Sequence, residues 1–590
     1  MDSVCEPDRC DHVGMIEEYA AAWDELTAPG AQFAMSEIEV RGVPIRVFDA
    51  APPSMRFVWE LAALHGDKDY IVFEDERLTY AEADARVKAL AHHLVDVHGV
   101  GSGDRVAVAM RNYPEWVLSY WAIVSIGAAC VGMNAWWTSD EMKYGLADSR
   151  PKVLIADDER VERVLPILDD LRNGDGGAPL HLISVRYDGD LPDDAARWND
   201  VIDPSAAPAT LPDATIDPDD DACIFYTSGT TGFPKGAQLT HRGSVHNLMD
   251  LGFMAAVSAA AAAKAGVPSK APDLTPDGEA KQLAFMAPTP LFHVTANNCL
   301  LHPATLSGAK LVLMYKWDAA RAIELIEREG VTNFSGVPTM SREMLLHPDW
   351  ETRDTSTLAG LGGGGAPLQP DLVDKIDKNL KGGASTGYGL TETHGIVTAN
   401  SGSLYVSKPA SCGRVVPCLD YKLIDDAGNE VSGPGARGEL CVRGAVVIKG
   451  YLNREEATAD AIQDGWFRTG DIAEIDDDQF VFIVDRAKDM VLRGGENVYC
   501  SEVEAAIYEH DAVAEAAVFG VPDDRLGEIV GVAIVLVDGH TLDQDGLTEF
   551  LSEKLAKFKI PERVWILNEP LPRNASGKFL KRELRDSLAG

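Results

Sequence analysis

A large α/β body built from more than one sheet, followed by a smaller α+β domain, is the architecture this sequence predicts, and three observations predict it. The 590 residues exceed what a single hydrophobic core usually organises. Short β-type runs alternate with amphipathic helical patterns through the first 480 residues, the rhythm of sheets carrying helices on their faces. Past Asp489 the rhythm changes to helix, strand, strand, helix, a unit of about a hundred residues and a comfortable size for one domain.

Residues 1–54 read as an N-terminal extension, and the body runs over 55–485. Thr79 with Glu82 forms a capping box ahead of a helix whose apolar positions Val87, Leu90, Ala91, Leu94 and Val97 follow helical spacing up to Gly99. A strand over 106–110 and a helix opening at Pro114 come next. Residues 117–133 carry no charge, but Gly127 divides the run into a helix and a strand, so a buried helix is expected rather than a membrane span. Residues 311–314 read as a strand, Asp318 caps a helix closed by Gly330, and a strand follows near 331–334. From 255 to 282 alanines give way to a Pro/Ser/Lys/Asp-rich stretch, read as a surface insertion. In the final domain, 486–590, Ser501 and Glu504 box the start of a helix, strands lie near 514–519 and 530–537, and a helix lies near 545–557.

A hydrophobic content of 46% with 25% charged residues is ordinary for a globular protein. The net charge of −40 disfavours nucleic acid or an anionic membrane as the main partner. Residues 554–590 reverse the sign, with nine Lys or Arg against four Asp or Glu, which reads equally as a place for anionic ligands or as a surface patch. The nine cysteines form no C-x-x-C pair, so buried thiols are expected rather than a zinc site or a disulfide framework. Met1-Asp-Ser-Val-Cys-Glu-Pro-Asp lacks the basic and apolar parts of a signal peptide, and a cytoplasmic location is the expectation.

The chemistry concentrates in Tyr226-Thr-Ser-Gly-Thr-Thr-Gly-Phe-Pro-Lys-Gly236. An apolar run enters a loop where Gly229 and Gly232 let the backbone curl around an anion. Thr227, Ser228, Thr230 and Thr231 offer rotating hydroxyl donors, and Lys235 adds a point charge. This suits a polyphosphate, although the spacing is not that of a Walker A loop, since Pro234 precedes the lysine and no Ser or Thr follows it.

Six further blocks appear in order: Gly364-Gly-Ala-Pro-Leu368, Gly387-Tyr-Gly-Leu-Thr-Glu-Thr393, Gly465-Trp-Phe-Arg-Thr-Gly-Asp471, Asp485-Arg-Ala-Lys-Asp489, Gly494-Gly-Glu-Asn497 and Pro572-Arg-Asn-Ala-Ser-Gly-Lys578. With the phosphate loop they make the chain resemble the adenylate-forming superfamily, in particular its acyl-CoA synthetases, over about residues 55 to 585. The resemblance implies the adenylate-forming fold with a mobile C-terminal domain, and ATP, Mg²⁺ and coenzyme A as cofactors or substrates. It implies that Lys235 and the loop hydroxyls hold the β- and γ-phosphates, that Glu392 is the metal ligand, and that Thr391 touches the α-phosphate. A phosphate-bridged Mg²⁺ usually takes only one or two protein oxygens, which suits a single glutamate.

Further roles follow from the same resemblance. Asp471 accepts the ribose hydroxyls, Tyr388 stacks on adenine beside Gly387 and Gly389, and the glycines at 362–365 with Ala366 and Pro367 permit close approach to the base. Arg486 contacts ribose or phosphate, Lys488 is the hinge, and Gly494 and Gly495 line a pantetheine tunnel. Lys578 bridges the substrate carboxylate and the α-phosphate, with Ser576 where the family more often has Thr. His293 sits at the carboxylate end of an acyl pocket whose walls, 294–300, 333–340 and 384–386, look small and apolar. An apolar monocarboxylic acid is therefore expected, fatty acids first, with aryl and steroid side-chain acids left open. An acyl-AMP ligase that loads a carrier protein is the alternative, disfavoured because the hinge passes directly into Leu492-Arg-Gly-Gly-Glu-Asn497. The expected partners are small molecules, without nucleic acid or an integral membrane segment, and a homodimer is left open.

Overall fold

The computed structural model describes residues 7–174, 177–227, 234–266, 281–364, 373, 376, 383–425, 427–433, 435–486, 488–493, 496–523, 525–574 and 577–589, apart from the side chains of 7–14, 496 and 497. The chain divides into two compact units. The first holds Met1–Pro409, Val415–Asp420 and Arg443–Phe467, and the second holds Ala410–Arg414, Tyr421–Val442 and Arg468–Gly590.

Two large sheets dominate the first unit, beside the two-stranded hairpin Met35–Val40 and Val43–Phe48. One runs Lys235–Thr240, Asp221–Thr227, Ala129–Gly132, Arg105–Ala109, Val153–Asp157, His181–Val185 and Ala196–Arg197, parallel except for the hairpin of its first two strands. Within this unit the other takes Glu76–Thr79, Asp69–Phe73, Lys310–Leu313, Ala284–Ala287, Asn333–Gly336, Gly360–Gly364, Ala384–Tyr388 and Thr398–Ser401, parallel except for the first pair and the last. The capping box at Thr79 opens the helix Tyr80–Asp96 as expected, but Val97 is 63% exposed because the helix has already ended and its apolar stripe no longer faces the core. The uncharged run resolves into a fully buried helix, Pro114–Ser125, and the strand Ala129–Gly132, with Gly127 at φ +74° between them. Trp121 of that helix stacks on Trp59 with ring centres 5.3 Å apart. Asp318 caps Ala319–Glu329, and Gly330 closes it in the left-handed region.

The stretch 255–282 requires a correction. Its alanines form the second half of the 24-residue helix His241–Lys264 rather than a loop. Alanine is the strongest helix former, and Phe253, Met254, Val257 and Ala261 are buried. The N-terminal helix Pro7–Thr27 covers this side, with Trp23 edge-on to Phe253 at 4.7 Å. Residues 267–280 lie outside the described residues. Among the described helices, His241–Lys264 is the one long and apolar enough to cross a membrane, and half of its apolar window is buried inside the protein.

In the second unit Trp466–Ile475, from Arg468 onward, pairs antiparallel with Phe480–Arg486. A five-stranded sheet follows, in which Gly527–Leu536 pairs with Val513–Asp523, Val491–Arg493 and Arg563–Leu567, and Glu496–Val498 extends the edge. Helices Cys500–Tyr508, Gln544–Ser552 and Lys581–Leu588 contribute Val503, Ile507, Leu547, Leu551 and Leu584 to its cores.

The expected capping box at Ser501 is absent. Tyr499 is the N-cap, the Ser501 hydroxyl donates to the Val484 carbonyl, and Glu504 accepts from the Val518 amide at 2.7 Å. Long-range partners have taken both side chains that a local cap would use. Five of the nine basic residues of the C-terminal stretch are paired within the unit: Lys554, Lys559, Arg573, Lys581 and Arg585 with Glu509, Glu502, Glu515, Glu504 and Glu528.

Candidate functional site

The phosphate-type loop leaves one strand at Thr227 and returns at Lys235, which are register partners, so Lys235 emerges opposite the hydroxyl of Thr227. The buried run Ala222, Cys223, Ile224 and Phe225 fixes the first strand in the core, and the return strand is clamped from outside. The Tyr144 hydroxyl donates to the Pro234 carbonyl at 2.9 Å, and Arg454 donates to the Tyr144 oxygen at 3.0 Å. Asp148 ties the two sides by pairing with Arg454 at 3.1 Å and accepting from the Tyr226 hydroxyl at 2.9 Å. Ser228, Gly229, Thr230, Thr231 and Gly232 lie outside the described residues.

Sequence reasoning missed Tyr451. The Lys235 ammonium lies 5.0 Å from the centre of the Tyr451 ring, and the Tyr451 hydroxyl donates to Glu392 Oε1 at 2.8 Å. Burial and the neighbouring glutamate charge hold this phenol well above its ordinary pKa, so it stays a neutral donor. The ring is placed by backbone pairing: Tyr451 bridges Ala237, and the Leu452 amide donates to the Gly236 carbonyl at 2.8 Å. Lys235, Tyr451 and Glu392 thus form one connected group from three distant stretches of chain.

Glu392 stands half-buried on the single 3₁₀ turn Thr391–Thr393, next to the half-buried Thr391. His394 locks this turn and was also missed. It adopts φ +56°, its Nδ1–H donates to the Val446 carbonyl at 2.7 Å, and its Nε2 accepts from the Thr240 amide at 3.0 Å. The two bonds select one neutral tautomer, and burial lowers the imidazole pKa to about 4. The Ile448 amide adds a bond to the Glu392 carbonyl at 3.0 Å, so the backbone of the turn is held from two sides.

Tyr388 ends the strand Ala384–Tyr388, and Gly387 is the register partner of Gly364. Gly389 is required by packing, because a Cβ there would strike the Gly395 carbonyl. The same holds for Gly362 and Gly363, where a Cβ would collide with the carbonyls of Ser385 and Gly336. At these positions the sheet itself demands glycine. Gly365, Ala366 and Pro367 lie outside the described residues.

His293 is the half-buried N-cap of Val294–Ala296, with its ring 4.7 Å from that of Phe292. The next residues, Asn297–Leu301, form a π-helical turn, a geometry frequent at functional sites. Buried polar side chains lie within and beside 294–300. Asn247 donates to the Asn298 carbonyl at 3.2 Å, Asn297 to Asn298 Oδ1 at 2.9 Å, and His302 contacts the Tyr120 hydroxyl at 2.7 Å, all fully buried. Among the described residues, Asn247 Oδ1, Asn297 Oδ1 and Asn298 Nδ2 have no hydrogen-bond partner. This buried polar chain adjoins the Glu392 turn, since a Cβ on Gly395 would meet Cys299 and Val294.

Asp471, Arg486, Lys488 and Lys578 belong to the second unit. Asp471 is buried on its strand and pairs with the Arg486 guanidinium at 3.0 Å, so the two expected ribose ligands are register partners that hold one another. Asp485 accepts from the amides of Arg486 and Cys500, and burial pushes its pKa up to about 6. Lys488 is exposed in the following turn, and Gly494 and Gly495 lie outside the described residues. Lys578 is exposed on a short hairpin, its amide donating to Asn574 Oδ1 at 3.0 Å.

Among the described residues no three His, Cys, Asp or Glu converge as a metal cage. Glu392 provides instead the single hard oxygen donor that a phosphate-bridged Mg²⁺ requires, and the residues present fit that ion.

The chain matches known proteins along most of its length. The profile of the AMP-binding enzyme family covers residues 58–452, and that of the AMP-binding enzyme C-terminal domain covers 502–578. A feruloyl-CoA synthase of Amycolatopsis sp is 35% identical over 509 residues, 86% of this chain and 93% of the relative. A long-chain-fatty-acid–CoA ligase of Bacillus subtilis (strain 168) is 31% identical over 545 residues, 89% of this chain and 92% of the relative. The structure of o-succinylbenzoate CoA synthetase from Bacillus subtilis in complex with an acyl-adenylate intermediate, OSB-AMP, superposes with a TM-score of 0.72 at 27% identity, covering 92% of this chain and 99% of that one.

Proposed function

The chain belongs to the AMP-binding enzyme family and is an AMP-forming acid–thiol ligase; from that premise we propose that it activates a monocarboxylic acid with a large apolar body and passes it to coenzyme A. In the first step a carboxylate oxygen attacks the α-phosphorus of ATP, the bond to the bridging oxygen breaks, and pyrophosphate leaves. In the second the thiol sulfur attacks the acyl carbon, AMP departs with the bonding pair, and the thiol proton goes to solvent.

The observation that carries this reading is the group Lys235, Tyr451 and Glu392 at the return of the phosphate-type hairpin. Lys235 neutralises phosphate oxygens, and Tyr451 orients the carboxylate of Glu392. Magnesium held at Glu392 supplies further neutralisation of phosphate charge when bound. Asp471 holds the ribose hydroxyls, Tyr388 the adenine face, and Thr391 the α-phosphate. Arg486 answers ribose or phosphate, and Lys488 is the pivot of the C-terminal domain. His293 marks the carboxylate end of the acid. Lys578 stabilises charge developing between the carboxylate and the α-phosphate as a fixed cation, without giving up a proton.

Two acid classes fit. A fatty acid agrees with the long-chain ligase relative. An aryl acid is the second class. The feruloyl-CoA synthase relative agrees with the second class.

Acid-dependent exchange of labelled pyrophosphate into ATP, across saturated fatty acids, cinnamates and hydroxycinnamates, tests the reaction and separates the classes. AMP release should then require coenzyme A. Lys578→Ala is expected to lower exchange by at least about 10²-fold while thioester formation from preformed acyl-AMP persists. Equal loss of both half-reactions would remove Lys578 from its assigned role.

A further inference from the structure

Lys578 carries its charge at the end of a flexible side chain on an exposed hairpin, and a two-stranded hairpin in water is marginal by itself. Among its described residues the hairpin is closed by the Asn574 amide donating to the Lys578 carbonyl at 2.8 Å, the Gly577 amide to the Asn574 carbonyl at 2.9 Å, and a bridge between Arg573 and Phe579. A fixed cation must nevertheless be held to within a fraction of an ångström of its productive position, so the hairpin needs support from outside itself.

Arg573 provides three supports from one guanidinium. Its NH1 donates to the Gly577 carbonyl at 2.9 Å, one residue before Lys578, and its NH2 donates to Glu515 Oε1 at 2.7 Å. Its Cζ lies 4.2 Å from the centre of the Phe579 ring, one residue after Lys578. Glu515 sits on Val513–Asp523, the strand paired along its length with Gly527–Leu536, and its second oxygen accepts from the Leu571 amide at 2.7 Å. One carboxylate thus grips both Leu571 at the entry to the hairpin and the arginine that reaches Gly577. The side chains are 23% and 19% exposed, so water screens this pair less than an ordinary surface pair. Beyond the hairpin, Lys581 pairs with Glu504 at 2.7 Å, and Glu504 accepts from the Val518 amide of the same strand.

We propose that Arg573, anchored by Glu515, is the positioning residue that sets the Lys578 hairpin in register for adenylate formation. The proposal rests on the reading of Lys578 given above. The planar fork is essential to it: an arginine reaches two acceptors and a ring at once, whereas a lysine in its place keeps the charge and reaches Glu515 but cannot also hold the Gly577 carbonyl.

The test compares Arg573→Met, Arg573→Lys, Glu515→Gln and the control Lys554→Met, which removes the ion pair with Glu509. Acid-dependent pyrophosphate exchange is expected to fall by roughly 10²-fold in Arg573→Met, less in Glu515→Gln and Arg573→Lys, and not in the control. Thioester formation from preformed acyl-AMP should stay within about twofold of the parent throughout. Amide hydrogen exchange should quicken in Arg573→Met over residues 571–581 and not in the remaining five-stranded sheet. Wild-type exchange activity in Arg573→Met, a parallel fall of both half-reactions with a lowered Tm, or unchanged hydrogen exchange over 571–581 would each overturn the proposal. If the parent protein shows no acid-dependent exchange, the functional reading has failed instead, and the hydrogen-exchange comparison still decides whether Arg573 braces the hairpin.

Discussion

Glu392 is held at two levels, and the two were unequally visible. Its place in Tyr388-Gly-Leu-Thr-Glu392 made it a candidate from sequence, yet its carboxylate is oriented by Tyr451 and its backbone by His394 and Ile448. Neither Tyr451 nor His394 carries a local signal, because each acts through partners more than 50 positions away in the chain. Tyr451→Phe keeps the ring beside Lys235 and removes only the donor to Glu392. Partners that orient a metal ligand typically contribute 10–100-fold in affinity, so the apparent affinity for Mg²⁺ in pyrophosphate exchange should weaken by about 10-fold, with Tm nearly unchanged. An unaltered magnesium titration would show that the hydroxyl does not orient the ligand.

Glycines divide sharply at the level of elements. Gly363 sits in the strand Gly360–Gly364 at φ +151°, and a Cβ there would overlap the Gly336 carbonyl of the adjoining strand, so neither the backbone angle nor the space admits a side chain. Gly252 lies inside the helix His241–Lys264 with nothing near its missing Cβ. Gly363→Ala should therefore cost several kcal/mol, read as a lost or strongly lowered thermal transition, whereas Gly252→Ala should stabilise by about 0.5–1 kcal/mol. Thermal melts of the two variants side by side check the contrast, and equal behaviour would refute it. The capping boxes teach a related lesson: the one at Thr79 formed because its side chains had no stronger partners, and the one at Ser501 did not because Val484, Val518 and Lys581 claimed them.

For the whole molecule, stability should have two pH limbs. His241, His246, His302 and His394 are buried, and burial lowers their pKa values to about 4, 4, 3 and 4 from an ordinary 6.5. Groups with a lowered folded pKa contribute stability above their unfolded pKa and lose it as the pH falls toward the folded value, so Tm should drop between about pH 6.5 and 4. Asp250 behaves oppositely, since burial raises its pKa to about 8 while its Oδ2 accepts from the Cys418 thiol at 2.7 Å. Its contribution is lost as the pH rises from its ordinary value toward 8, so Asp250→Asn should flatten the alkaline limb and leave the acid limb in place. Tm measured from pH 4 to 9 on both proteins checks both signs.

The amino-acid order alone determined the α/β class with its C-terminal α+β unit, most element positions, the family and the motif residues, because periodicity, caps and phosphate-binding chemistry are written in adjacent positions. Only the tertiary structure decided that Tyr451 meets Glu392, that Asp471 and Arg486 hold one another, that Arg573 and Glu515 meet beside the Lys578 hairpin, and that Asn247 and Asn298 join in a buried polar chain. Those outcomes depend on which distant side chain reaches a given polar atom first, and that competition is settled by packing rather than by any local pattern.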